Sequence, residues 1–182
     1  MGLLKIHDIL EFYSGKKVLV TGHTGFKGSW LCLFLSFLGA EVSGYSLKPK
    51  NKKSLFYEAK IKNLIKKSII ADVRNTSNLL NELKKSKSTI VFHLAAQALV
   101  RESYINPIET IETNIMGTAN ILNAISKNKL IKSSVIITSD KVYDIQKNKI
   151  FKEKDLLGGI DPYSASKVCS EHIFNSYINY IL

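Results

Sequence analysis

The chain has 182 residues, 45% of them hydrophobic and 23% charged, a balance that excludes an intrinsically disordered segment and leaves room for one substantial core. Its formal charge of +11 invites a nucleic-acid reading, but of 26 basic residues only Arg74 and Arg101 are arginines, and base edges and phosphate forks favour arginine. The lysines spread along the chain, with knots at Lys50, Lys52 and Lys53 and at Lys84, Lys85 and Lys87, as solvated faces do; such a surface draws small anionic ligands, and no nucleic-acid partner is expected.

The opening stretch "MGLLKIHDILEF" is amphipathic with charges throughout. It lacks the small-residue cleavage site of a secretory leader, and residues 1–15 read as a leading arm to a domain spanning 16–182. "KKVLVTG" (16–22) is an apolar, β-branched run ending in glycine, the pattern of a buried strand. "FKGSWLCLFLSFLG" then reads as a helix closed by Gly39. Its apolar part is about half the length needed to cross a bilayer, so no membrane span is expected and a cytoplasmic protein is. "EVSGYSL" (41–47) predicts a second strand, 54–66 a lysine-rich helix, and "KSIIADV" (67–73) a third strand. "NTSNLLNELKKSK" (75–87) predicts a capped helix and "TIVFHLA" (89–95) a fourth strand. One long helix is expected from "NP" at 106–107 to about Lys127. "SSVIITSD" (133–140) predicts a fifth strand and 141–160 a polar loop. "DPYSASKVCSEHIFNSYI" (161–178) predicts a last helix, with Asp161 as its cap and Pro162 at its first position. Strands alternating with helices imply right-handed crossovers and a doubly wound α/β parallel sheet. Cys32 and Cys169 fall in helical apolar patterns and read as buried, reduced thiols. The four histidines show no ligand spacing, and no metal is expected.

Four motifs carry chemistry. Gly22, Gly25 and Gly28 straddle the first strand-to-helix turn, where a dinucleotide diphosphate rests on a helix N-terminus. No "GK[ST]" closes the motif, so it is not a Walker loop, and Lys27 is expected to face solvent or the substrate phosphates rather than the cofactor diphosphate. "YSASK" sets Tyr163 and Lys167 four apart on one helix face. An ammonium beside a phenol stabilises the phenolate, which suits a base that takes a hydroxyl proton during hydride transfer. Two other pairs share the spacing, Tyr13/Lys17 and Tyr143/Lys147; only Tyr163/Lys167 opens a capped helix after a fifth strand. "TSDKVY" sends Ser139, Asp140 and Lys141 off the C-terminal end of that strand, where ligands bind in open α/β sheets. "HLAAQ" (93–97) ends the fourth strand in residues small enough for a cofactor ribose to approach. His93 reads as a satisfied core histidine, Asn114 as a residue that bonds backbone or holds a water near the Tyr–Lys pair, and Gly117 as packing.

Spelled "VTGHTGFKGSWL", "VFHLAAQALVR", "TNIMGT", "ITSDKVYD" and "DPYSASKVCSE", these segments resemble the extended short-chain dehydrogenase/reductase family, and within it the sugar-nucleotide 4,6-dehydratases acting on CDP-glucose. The resemblance covers nearly the whole chain. It implies a Rossmann fold, nucleotide-sugar metabolism serving lipopolysaccharide O-antigen, and a bound NAD that takes a hydride from C4 of the sugar and returns it to C6 after water is lost across C5 and C6. It implies Tyr163 as the base for the C4 hydroxyl, Lys167 as its support and a ribose ligand, Ser139 as a hydrogen-bond partner near C4, and Asp140 as the acid for the departing hydroxyl. Lys141 stands where related dTDP-glucose dehydratases carry a glutamate that removes the C5 proton; a lysine is a base only when neutral, which desolvation favours. The cofactor contacts it implies are Gly22, Thr24, Gly25, Phe26, Gly28, Leu94, Ala95, Ala96, Asn114, Tyr163 and Lys167, with Asp72 and Val73 beside the adenine. The second strand ends without the acidic residue that takes a ribose 2′-hydroxyl, and Lys48 nearby leaves NADP as the alternative to NAD. Family members run to about twice this length, with the substrate nucleotide held by their second half, so the chain is expected to be the cofactor half. The resemblance also implies a homodimer in the full-length form. The rival readings are another enzyme of the family, an epimerase or a GDP-mannose dehydratase, and a non-catalytic NAD-binding module.

Overall fold

The computed structural model describes residues 6–49, 51–144 and 150–180. Its centre is a five-stranded parallel sheet in the order β3-β2-β1-β4-β5, formed by β1 (Lys17–Thr21), β2 (Glu41–Ser46), β3 (Lys67–Ile70), β4 (Ile90–His93) and β5 (Ser133–Ile136). β1 is central, pairing β2 on one side and β4 on the other. Successive side chains of a strand point to opposite faces. Val18 and Val20 accordingly enter one core with Cys32, Leu35, Val42, Phe56 and Ile61, while Leu19 enters the other with Leu79, Leu83, Val91, Ile121 and Leu122. The first core is covered by α2 (Phe26–Phe37), α3 (Leu55–Glu58) and α4 (Ile61–Leu64); the second by α5 (Thr76–Ser86) and α8 (Gly117–Ser126), with side chains of α9 (Pro162–Tyr180) against it. The expected doubly wound sheet is the one observed.

The elements differ from expectation where tertiary contacts, not local pattern, decide. Within the leading arm, Ile6–Tyr13 forms α1. The lysine-rich helix splits into α3 and α4 at Lys60, whose φ of +49° stops one turn and starts the next. β3 ends at Ile70, so Asp72 and Val73 lie beyond it, in the turn before Asn75 caps α5 by accepting from the Asn78 amide (3.0 Å). The expected long helix is three pieces: α7 (Pro107–Ile111), a π-helical turn (Glu112–Met116) and α8, with a further helix α6 (Val100–Ile105) ahead of them. β5 stops at Ile136 rather than Asp140, because Ser139 accepts from the Lys141 amide (3.2 Å) and starts a 3₁₀ turn over Asp140–Val142. Cys32 is buried and its thiol is pushed up to about 12 by desolvation, whereas Cys169 is only half-buried. Lys50 and Lys147, and with Lys147 the Tyr143/Lys147 pair, lie outside the described residues. No described helix is long and apolar enough to cross a membrane.

Candidate active site

The site forms at the C-terminal ends of β1, β4 and β5, where the strand order reverses across β1 and β4. Gly22 leaves β1 with φ +76°, and a Cβ there would lie 2.8 Å from the Ala95 nitrogen and the Leu94 carbonyl carbon. The turns after β1 and β4 therefore touch with no room for a side chain. A Cβ on Gly28 would lie 2.0 Å from the Gly22 carbonyl oxygen, so α2 packs on the turn through bare backbone. Gly25 begins α2 without a side-chain cap, and Gly25, Phe26 and Lys27 are exposed. The first-turn N–H groups of α2 have neither an intrahelical nor a side-chain acceptor. With the positive end of the helix dipole behind them and open space before them, they fit a dinucleotide diphosphate. Thr24 ties the turn to β2: its hydroxyl donates to the Leu47 carbonyl (2.8 Å) and meets the Ser46 hydroxyl (2.9 Å). β2 ends in Ser46 without an acidic residue, as expected. The Asp72 carboxylate is engaged by Arg74, through its amide (2.8 Å) and guanidinium (2.6 Å), which holds it below the usual carboxylate range against the opposing effect of burial. Val73 is buried, and a Cβ on Gly117 would meet its Cγ2 at 2.9 Å, which accounts for that glycine by packing.

One hydrogen-bond chain crosses the site. The Thr21 hydroxyl accepts from the Leu94 and Ala95 amides (both 3.2 Å), so its own proton goes to His93 Nδ1 (2.8 Å). That leaves the His93 proton on Nε2, facing the Thr118 hydroxyl (3.5 Å), which itself donates to the Asn114 carbonyl (2.7 Å). Ser170 of α9 donates to the same carbonyl (3.1 Å). His93 is the satisfied core histidine that was expected, with its pKa lowered to about 3 by burial and by the charge of Lys167. The Asn114 side chain accepts from the Gln97 amide (2.8 Å) and donates to the Gln97 carbonyl (3.1 Å) and the Ser166 hydroxyl (2.8 Å). Asn114 thus bonds backbone, and it clasps the end of the β4 turn to α9.

α9 begins at Pro162 behind Asp161, whose carboxylate accepts from the Ser164 amide (2.9 Å) and hydroxyl. Burial alone would raise the Asp161 pKa; bonds from Ser164 and Tyr163 and the charge of Lys141 bring it below the usual range. Tyr163 and Lys167 are 8% and 5% exposed, an unusual burial for an ammonium. Lys167 Nζ donates to the Ile137 carbonyl just beyond β5 (3.2 Å). Its pKa is lowered to about 8, first by desolvation, then by Lys27, with Glu171 opposing. The Gly-rich turn and the Tyr–Lys helix are therefore within electrostatic reach of each other. Lys27 is exposed and has no acidic partner among the described residues. Ser139 is half-buried and donates to Asp140 (3.1 Å), while Asp140 and Lys141 are open to solvent.

The fold brings the expected catalytic residues to one sheet end; of the expected cofactor residues, Gly22 to Gly28 and Leu94 to Ala96 lie at the turns after β1 and β4, Asn114 in the π-helical turn, Tyr163 and Lys167 on α9, and Asp72 and Val73 in the turn after β3. Sequence reasoning missed Gln97, Thr118, Ser166 and Ser170, all hydrogen-bonded within the cluster. The signal was present: in "YSASKVCS" two serines four apart stand three after Tyr163 and three after Lys167, so the buried stripe of this helix is polar.

Residues 19–180 match the family model described as GDP-mannose 4,6 dehydratase. The chain belongs to that family. Within the GDP-mannose 4,6-dehydratase family and its relatives, the chain is 47% identical over 170 residues to CDP-glucose 4,6-dehydratase of Salmonella typhimurium, covering 93% of this chain and 47% of the relative. It is 34% identical to dTDP-D-glucose 4,6-dehydratase of Dictyostelium discoideum, covering 89% and 40%. Among solved structures, UDP-glucuronic acid 4-epimerase from Bacillus cereus, in complex with UDP-glucuronic acid and NAD, matches with a TM-score of 0.78 at 27% identity, over 90% of this chain and 52% of that one. UDP-glucose 4-epimerase from Brucella ovis shares the fold with a TM-score of 0.80 at 23% identity, over 92% of this chain and 49% of that one. The chain spans about half the length of the curated relatives it matches.

Proposed function

We propose that the protein is a CDP-glucose 4,6-dehydratase that forms the CDP-4-keto-6-deoxy sugar, with residues 16–182 as its NAD-binding domain and 1–15 as an arm. The observation that carries this is the bond from Lys167 Nζ to the Ile137 carbonyl (3.2 Å), which joins the buried Tyr–Lys pair to the strand end bearing Ser139, Asp140 and Lys141. The identity of 47% to the Salmonella enzyme supports the choice of CDP-glucose. NAD is supported by the uncapped α2 N-terminus and by the NAD-bound epimerase neighbour. When bound, NAD supplies the group that accepts and returns a hydride.

The residues divide the remaining work. Tyr163 takes the proton of the C4 hydroxyl, and the Lys167 ammonium, buried one turn further along α9, stabilises the resulting phenolate. Ser139 hydrogen-bonds the same hydroxyl. Lys141 removes the C5 proton, and Asp140 protonates the C6 hydroxyl as it leaves as water. Burial of Tyr163, Lys167, Asn114 and Ser166 keeps water from the transfer of the C4 hydroxyl proton, whereas Asp140 and Lys141 work on the solvent-open side of the site. We place the reaction in the cytoplasm, in deoxysugar supply for surface O-antigen, and the full-length protein as a homodimer.

The test is incubation of the full-length protein with CDP-glucose, reading the 4-keto-6-deoxy chromophore in base. Tyr163→Phe is expected to lower kcat roughly 10²–10⁴-fold while NAD binding persists. No product from the wild-type protein sinks the assignment; product from GDP-mannose instead favours the other dehydratase of the family.

A further inference from the structure

Past Ile136 the sheet supplies one more bond, from the Ile137 amide to the His93 carbonyl (3.0 Å), and the chain then leaves it. The Ser139–Asp140–Lys141 turn starts two residues later. Two contacts from α9 hold the connecting residues: Lys167 Nζ donates to the Ile137 carbonyl, and the Thr138 hydroxyl donates to the Glu171 carboxylate. Lys167 and Glu171 lie four apart, one above the other on the same helix face. Glu171 has no part in the proton transfers described above. Even so it is half-buried and bonds the residue next to Ser139.

We propose that Glu171 is a positioning residue: by accepting the Thr138 hydroxyl it fixes the Ser139–Asp140–Lys141 turn in register with Lys167 and Tyr163, one and two turns back on α9. The role of the turn rests on the dehydratase reading; the contact does not. A carboxylate suits the position better than an amide because of what surrounds Lys167. Lys27 reaches it from α2, His93 faces it from β4 as a neutral ring, and Glu171 is the opposing negative charge on its own helix. A charged acceptor also makes the stronger hydrogen bond.

Four variants test this in the full-length protein: Thr138→Val, Thr138→Ser, Glu171→Leu and Glu171→Gln. With CDP-glucose, Thr138→Val and Glu171→Leu are expected to lower kcat roughly ten- to a hundredfold through misplacement of the turn, with KM little changed, and Thr138→Ser to restore it. A second readout needs no turnover. The amide resonances of Ser139, Asp140 and Lys141 move in Thr138→Val and Glu171→Leu and return in Thr138→Ser. Glu171→Gln keeps an acceptor and drops the charge, so those resonances stay near wild type while Lys167 titrates at lower pH. If the wild-type protein leaves CDP-glucose untouched, the dehydratase reading fails and the resonances alone decide the positioning role. Unmoved turn resonances in Thr138→Val and Glu171→Leu, with wild-type unfolding midpoints, overturn it.

Discussion

At the scale of single residues, glycine position matters more than glycine count. A Cβ on Gly28 would overlap the Gly22 carbonyl oxygen at 2.0 Å, and both atoms belong to backbone that cannot rotate away. Gly28→Ala is expected to cost about 3 kcal/mol or more and to abolish NAD binding, because α2 must lift off the turn. Gly15 has φ +66° but nothing within 4 Å of its Cβ site, so Gly15→Ala is expected to cost only about 1 kcal/mol, the left-handed penalty alone. Urea unfolding of both variants checks this, and equal costs would refute the packing account. Lys27 gives a second prediction. Its like charge helps depress Lys167, after the larger effect of desolvation, so Lys27→Met should move the Lys167 titration upward from about 8. Lysine-selective NMR reads it, and an unchanged midpoint would remove Lys27 from the electrostatics of the site. The glycine spacing and the Tyr163/Lys167 pair were legible because each follows from a local rule, a tight turn in one case and a helical repeat in the other. The contact between Gly22 and Ala95 joins residues far apart in sequence, and no local rule reports it.

At the scale of elements, the π-helical turn Glu112–Met116 is the part that sequence did not announce. Periodicity predicts one helix through this region, and a π turn changes that period by a single residue. What sustains it is tertiary: the Asn114 carbonyl accepts from Thr118 and Ser170, and the Asn114 side chain holds both polar groups of the Gln97 backbone. Such turns recur at functional sites. Asn114→Ala would strand the Gln97 amide and carbonyl, each costing about 1–3 kcal/mol if left without a partner. The melting midpoint is therefore expected to fall by roughly 5–10 °C, with the Ser139 turn untouched because Thr138 and Glu171 hold it separately. A midpoint within a degree or two of wild type would mean that the clasp is dispensable. The short strands have the same lesson. β3 and β5 were expected to run to Val73 and Asp140, on the strength of apolar starts such as "VIIT", but they end at Ile70 and Ile136. There Asp72 and Ser139 bond nearby amides and turn the chain away.

At the scale of the molecule, two neutral histidines sit inside a strongly basic chain. His93 is bonded by Thr21 and Thr118. His23 fills the gap left by Gly44, where a Cβ would lie 2.2 Å from its ring, and its Nε2 meets the Ser68 hydroxyl (2.7 Å). Its Nδ1 has no hydrogen-bond partner; the Tyr45 carbonyl, off hydrogen-bonding geometry, offsets only part of the desolvation that lowers its pKa to about 4. Both folded values lie below the ordinary histidine value of 6.5, so as pH falls through 6.5 the unfolded chain takes up protons before the folded one does. Stability must therefore fall with pH between 6.5 and about 4. At pH 5 each histidine accounts for about 2 kcal/mol, at roughly 1.4 kcal/mol per unit below the unfolded value. The carboxylates held low by cations, Asp72 and Glu82, add to the loss only nearer their own unfolded values, so the upper part of the window belongs to the histidines. Added positive charge on a chain already at +11 acts in the same direction, but salt screens that contribution and leaves the buried rings unaffected. Urea unfolding at pH 7.5 and pH 5.0, each in low and high salt, separates the two: the drop should persist in high salt, and His23→Asn should remove about half of it. A drop that vanishes with salt would assign acid sensitivity to surface charge and leave His23 and His93 without a part in it.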